Sequence, residues 1–166
     1  MVTYKVLVEQ AKKRDKEAFA KLYELIYQDM YRFALYTLKN SQDAEDIVSD
    51  TVIDAYESIK KLRNAEAFKG WIFRILSNKC RRKMKDYVDK TVELPEELSH
   101  KGDFTEDVAT REAFMQLSNE ERLIISMSIF AGYSSREIGD ILNKNDNTVR
   151  SDKSRALKKM EQMLNG

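Results

Sequence analysis

Disulfide bonding within the chain is excluded at once, because Cys80 is the only cysteine. His100 is the only histidine, so a zinc site of the usual cysteine and histidine type has no ligand set to draw on. Cys80 lies in a run of cations that would favour its thiolate, but a cysteine packed on a helix is the plainer expectation. Proline occurs once, at Pro95, and glycine five times in 166 residues. Alternating apolar and polar runs are almost missing as well, which leaves little from which to build strands. What remains is long 3.6-residue periodicity, and it predicts an all-α protein. No apolar stretch is long enough to span a bilayer, and the start, MVTYKVLVEQAKKRDK, lacks the apolar centre of a signal peptide; a cytoplasmic protein is expected. Gly-rich phosphate loops, paired histidine and carboxylate, and nucleophile motifs are all absent, which argues against an enzyme. No cofactor, metal or small-molecule substrate is expected.

Net charge is also small. The chain carries 29 Lys plus Arg against 28 Asp plus Glu, a formal +1, so the total does not mark a nucleic-acid binder. Its distribution is more informative: acidic from Asp43 to Glu57, basic from Lys69 to Lys85, acidic from Glu93 to Asp107, and basic from Lys144 to Lys159. Charge sorted into blocks implies separate surfaces for separate partners.

The spacing predicts helices over Tyr4 to Lys12 and Lys16 to Leu38, with Phe19, Leu22, Tyr23, Ile26, Met30, Phe33, Ala34 and Leu38 on one face of the second. Its aromatic row, Tyr23, Tyr27, Tyr31, Phe33 and Tyr36, reads as core and boundary packing. A third helix follows, with Ser41 expected as its N-cap and Asp43 and Glu45 in the first turn, where the dipole favours anions. On it Val48, Val52, Ala55, Tyr56, Ile59 and Leu62 form an apolar face, while Asp43, Asp46, Asp50, Asp54 and Glu57 form a stripe on another. A short loop at Arg63 to Ala67 presents Arg63 and Asn64. The next helix is basic: Phe68, Trp71, Ile72, Ile75 and Leu76 are its apolar face, and Lys69, Arg74, Lys79, Arg81, Arg82, Lys83 and Lys85 its cations.

Beyond Lys85 the period fades into acidic linker composition around Pro95 and Gly102. The predicted organisation is a helical bundle over residues 1–86, a flexible acidic linker over 87–108 and a second helical domain over 109–166. About 22 residues at ~3.3 Å each reach ~70 Å, which is two duplex turns at ~34 to 36 Å. In the second domain Ser118 with Glu121 and Ser134 with Glu137 are capping boxes, so helices should start at both serines. A short helix containing Ile138, Gly139, Ile141 and Leu142, a tight polar turn, and a basic helix from about Asn145 to Leu164 make a helix-turn-helix, whose second helix enters a major groove. Asn147, Thr148, Arg150, Ser151, Lys153, Ser154, Arg155 and Lys158 are its candidates for base edges and phosphates.

Four stretches together, DAEDIVSDTVIDAY, AFKGWIFRILSNKCRR, LSNEERLIISMSIFAGYSSREIGDIL and TVRSDKSRALKKM, resemble the bacterial sigma factors of the sigma-70 family, in the small extracytoplasmic-function group that keeps only regions 2 and 4. The resemblance runs from about Glu17 to Leu164. It implies core RNA polymerase and promoter DNA as partners, together with a membrane-associated anti-sigma protein. It assigns polymerase docking to the acidic stripe, Asp43, Asp46, Ser49, Asp50 and Asp54. Reading of the promoter −10 element and capture of an unpaired base fall to Arg63, Asn64, Lys69, Trp71, Arg74, Asn78, Lys79, Arg81 and Arg82. Trp71 is expected mainly in the core, with its edge near DNA. The −35 element falls to the helix-turn-helix residues named above and Arg136. The acidic linker matches the segment that threads the polymerase channel for nascent RNA.

The chain departs from the family pattern in two places, the turn and the recognition helix. Asn143 and Lys144 stand in the turn where Gly and an apolar residue are usual, and Lys153 replaces a usual leucine. Asn tolerates the left-handed conformation, and both lysines can snorkel along the helix pair. The competing assignment is an autonomous helix-turn-helix regulator with a dimerising or ligand-sensing bundle. An acidic stripe beside a basic aromatic helix counts against it, because dimerisation needs no such pair.

Overall fold

A computed structural model describes residues 4–89 and 108–165. Among them the elements are eight α-helices and two short 3₁₀ turns, with no strand. The first half contains α1 (Tyr4–Lys12), α2 (Lys16–Leu38), α3 (Ser41–Ser58) and α4 (Phe68–Asp89); the second contains α5 (Val108–Met115), α6 (Asn119–Ile129), α7 (Ser135–Leu142) and α8 (Asp146–Asn165). The predicted linker lies outside the described residues from 90 to 107. Its first three positions belong to α4, which continues helically to Asp89, and its last, Val108, opens α5.

Local chemistry fixes the helix ends. Asp15 accepts from the backbone N–H groups of Glu17 and Ala18 and starts α2. Lys39 ends it in the left-handed conformation, φ 58°. The N-cap of α3 is Asn40, not Ser41: Asn40 is extended, at φ −146° and ψ 114°, and its side-chain oxygen accepts from Asp43 N at 3.0 Å, while Ser41 is already helical. Asn and Ser serve this role about equally, so residue preference alone does not choose between neighbours. Both predicted capping boxes are present, at Ser118 with Glu121 and at Ser134 with Glu137. The loop after α3 has more order than expected: 3₁₀ turns occupy Ile59–Lys61 and Ala65–Ala67, and Asn64 caps the second by accepting from Glu66 N.

In the first half, α2 is the central helix, packed on α1, α3 and α4. Phe19, Leu22, Ile26, Met30 and Phe33 of α2 meet Val48, Thr51 and Ala55 of α3 and Phe68, Ile72, Phe73 and Leu76 of α4 in one core. Cys80 is completely buried there, and burial pushes its thiol up, so the surrounding cations do not make it a thiolate. Trp71 is half-buried, with its ring 6.1 Å from Phe68.

The two halves pack directly on one another. Every residue from Phe33 to Leu38 is buried, and so is every residue from Arg122 to Met127 of α6. A helix buried all round has a partner on each side; α6 lies between α2 and α8. Tyr36 stacks on Phe130 at 5.5 Å and 8° and meets Phe114 at 4.8 Å. Such pairs add about 0.5–1.5 kcal/mol each beyond their buried area. Arg122, 2% exposed, donates to the carbonyls of Tyr36 (3.1 Å) and Thr37 (3.4 Å) in the last turn of α2, and to Leu117 O (2.6 Å) and Asn119 Oδ1. A cation suits that helix end, where carbonyls lack intrahelical donors. Among the described residues no carboxylate pairs with it; burial lowers its pKa to about 10, which leaves it charged at neutral pH. Lys39 Nζ donates to Met115 O at 3.1 Å, Arg81 to Ile141 O at 3.1 Å, and the Tyr133 hydroxyl to Gly70 O.

Candidate functional site

Three surfaces carry the candidate residues. The first is the outer face of α3. Ala44, Val48, Thr51 and Ala55 turn inward, and Thr51 satisfies its hydroxyl by donating to Ile47 O at 2.8 Å. Asp46, Ser49 and Asp50 are consequently exposed, and Asp54 is half-buried. Asp43 is different. It accepts from the Tyr87 hydroxyl and lies 4.0 Å from Lys83, so its carboxylate ties α3 to α4. Asp54 likewise pairs with Lys79 at 2.7 Å. Between the acids stands Ile53, an uncharged residue 55% exposed. An apolar side chain set among carboxylates suits a protein partner better than a solvated face does.

The second surface is the turn after α3 with the outer face of α4. Arg63 and Asn64 are exposed, as are Arg74, Asn78 and Arg82. Lys69, Lys79 and Arg81 are half-buried and already engaged: Lys69 lies 3.8 Å from Asp29 and over the Phe73 ring, Lys79 pairs with Asp54, and Arg81 holds the Ile141 carbonyl. The structure therefore divides the predicted cations into an exposed group and one that also ties elements together. Trp71, Gly70 and Arg74 border a cleft of about 600 Å³ whose other wall is Tyr133, Glu137, Asp140 and Ile141 from the second half. Burial first, and the nearby Glu137 charge second, raise the Tyr133 phenol, which stays neutral where it donates to Gly70.

The third surface is the helix-turn-helix. Asn143 ends α7 in the left-handed conformation, φ 56° and ψ 50°, and Lys144 N donates to Gly139 O at 2.8 Å. Gly139 is needed there, since a Cβ would lie 2.5 Å from the Lys144 carbonyl oxygen. Asn145 then caps α8 by accepting from Asn147 N at 2.8 Å. With Val149 and Ala156 buried, Asn147, Thr148, Arg150, Ser151, Ser154, Arg155 and Lys158 all point outward. Lys153 is half-buried, and Arg136 is exposed on α7. Lys144 does more than snorkel: its ammonium pairs with Glu120 of α6 and, at 3.2 Å, with Asp152 of α8. The hydrogen bond to Glu120 is the main cause of its raised pKa, against the opposing effect of burial. A second clamp joins Lys159 to Glu121 at 2.8 Å. Burial disfavours the Glu121 charge, but Lys159 and Ser118 outweigh it and hold its pKa below the usual value.

Among the described residues no group of acids, histidine and cysteine could hold a metal ion, and no helix is long and apolar enough to cross a membrane. Comparison with known proteins is consistent across sequence and structure. Residues 22–88 match Sigma-70 region 2, and residues 107–160 match Sigma-70, region 4. The RNA polymerase sigma factor SigV of Bacillus subtilis is 34% identical over 144 residues, which are 82% of this chain and 85% of SigV. The ECF RNA polymerase sigma factor SigM of Mycobacterium tuberculosis is 26% identical over 154 residues, 90% of this chain and 79% of SigM. In fold, the chain is similar to the sigma factor RpoE of Bartonella quintana, solved with the anti-sigma factor NepR: TM-score 0.69 at 23% identity, covering 89% of this chain and 96% of that one. With both regions matched and SigV alike over most of its length, the chain belongs to the sigma-70 family of RNA polymerase sigma factors, in its extracytoplasmic-function group.

Proposed function

We propose that this sigma factor docks on core RNA polymerase through the outer face of α3 and directs initiation by reading a −10 element with the Arg63–Asn64 turn and α4, and a −35 element with α8. The observation that carries the proposal is that α3, α4 and α8 each turn charged or polar side chains outward, with opposite sign on adjacent helices. Asp46, Ser49, Asp50 and Asp54, with Ile53 among them, form the polymerase surface, and electrostatic complementarity would set its orientation. Asp43 contributes by fixing α3 against α4. Arg74, Asn78 and Arg82 supply a cationic track for a separated strand beside the Trp71 edge. Two readers in one packed body cannot reach elements two duplex turns apart at ~34 to 36 Å per turn, so the contacts between the halves open when both elements are bound. An anti-sigma protein is part of the same proposal, since the Bartonella quintana sigma factor of similar fold is solved with one. So is a cytoplasmic location, where the polymerase is, and a role without catalysis of its own.

Run-off transcription with purified core polymerase tests the proposal. Specific transcripts should appear only when the chain is added. Tight sequence-specific binding to duplex DNA by the chain alone, with no effect on the polymerase, would support the autonomous regulator instead.

A further inference from the structure

We propose that Lys144 and Asp152 are positioning residues for base reading: with Glu120 they form a chain of alternating charges that holds Arg155 in place on the DNA-facing side of α8. The inference rests on the proposed reading of duplex DNA by α8 and adds to it which residues set its specificity. Glu120 lies in the first turn of α6, whose dipole favours an anion there. Its carboxylate meets Lys144, Lys144 meets Asp152 Oδ2 at 3.2 Å, and Asp152 Oδ1 accepts from Arg155. Each oxygen of Asp152 therefore has one donor. The backbone of Lys144 is fixed as well, because its carbonyl rests against Gly139 and its N–H donates to Gly139 O.

Exposure falls along the chain and rises again. Side chains are 56% exposed at Glu120, 25% at Lys144, 20% at Asp152 and 65% at Arg155. The two middle members are shielded from solvent and the terminal Arg155 is presented to it. A guanidinium held by a fixed carboxylate loses less side-chain freedom when it meets a base edge, and its planar fork is already oriented. Without Lys144, the Asp152 carboxylate can turn, and Arg155 loses its fixed support. An anion on a DNA-facing helix opposes phosphate, so Asp152 should lower overall affinity while raising discrimination.

Holoenzyme assembled from bacterial core polymerase and the full chain would be used to select from a pool of fully randomised duplex DNA. Wild type should enrich a sharp upstream block. Arg155→Ala and Asp152→Asn should flatten the same one or two adjacent base pairs by about tenfold, the scale of one good side-chain–base contact, while Asp152→Asn retains as much total DNA as wild type or more. Lys144→Met should flatten those positions less, and should add little to Asp152→Asn in the double variant. Asp152→Glu, which keeps the charge, should keep the preference, and thermal melts would identify a variant that fails to fold. An unchanged profile for Asp152→Asn, or a loss spread evenly over the block, would overturn the proposal. Absence of any upstream preference in wild type would instead overturn DNA reading by α8, and this inference with it.

Discussion

Asp46 and Asp50 offer the cleanest separation of binding from folding. Both are exposed on α3, and neither forms an ion pair with another described residue, whereas Asp54 is paired with Lys79 and Asp43 with Lys83. Reversing both, as Asp46→Lys with Asp50→Lys, should abolish retention of core polymerase in a pull-down, with each change costing no more than the ~0.5 kcal/mol of a surface substitution. Retention equal to wild type would remove α3 from the docking surface. Burial at single residues also sets the response to alkali. Tyr23 is pushed up to about 12, by burial first and Tyr27 second, and burial raises Tyr133 and Cys80 too. A group that holds its proton more tightly in the folded state stabilises the fold fully below its unfolded pKa, and that contribution is lost as pH rises through the folded one. With unfolded values of 9.0 for Cys and 10.0 for Tyr, stability should begin to fall at about pH 9 and continue to fall up to about pH 12. Urea midpoints that stayed constant across that range would contradict this.

The α7–α8 turn shows how one small residue determines the relation of two helices. A Cβ at Gly139 would meet backbone, the Lys144 carbonyl at 2.5 Å, and backbone cannot rotate away as a side chain can. Gly139→Ala should therefore cost ~1 to 3 kcal/mol, the range for overpacking, and lower the melting temperature by several degrees; a melt like wild type would show that the turn can shift. Along α8, Arg150 lies one turn into the helix and Lys158 two turns farther. Arg150→Ala should alter preference at its own base pair, and Lys158→Ala should weaken all upstream sequences alike. A base-substitution series giving one profile for both would remove the distinction. Helix existence was legible because periodicity and caps agree: Ser118 and Ser134 start helices where their glutamates said they would. Less legible were features made by distant partners. Asn40 and Ser41 are equivalent as caps until the backbone chooses, and Asp43 looks like its neighbours until Tyr87, a whole helix away, takes its carboxylate. The unbroken burial from Leu123 to Met127 did have a sequence signal, LIISM, a run with no charged residue and hence no face for solvent.

At the scale of the molecule, the two halves are held by an aromatic stack and by a buried cation that donates to backbone carbonyls. Replacing that cation by an anion, Arg122→Glu, would set a carboxylate against the Tyr36 and Thr37 carbonyls and should separate the halves. Energy transfer between dyes placed on α1 and α8 should be high in wild type, fall in Arg122→Glu with helicity retained, and fall in wild type when core polymerase is added. Transfer unchanged by the substitution would show that Arg122 does not hold the halves together. The packed state covers the end of α2 and the middle of α6, from Arg122 to Met127, but it leaves Asp46, Asp50 and Ile53 of α3 facing outward. Encounter and rearrangement are thereby separable in time. With α3 as the proposed docking face, capture by the polymerase would need no prior opening, so the first phase of association should be second-order, fast and slowed by salt, as for charge-steered collisions. Separation of the halves would follow on the captured molecule, at a rate that no longer depends on how much polymerase is present.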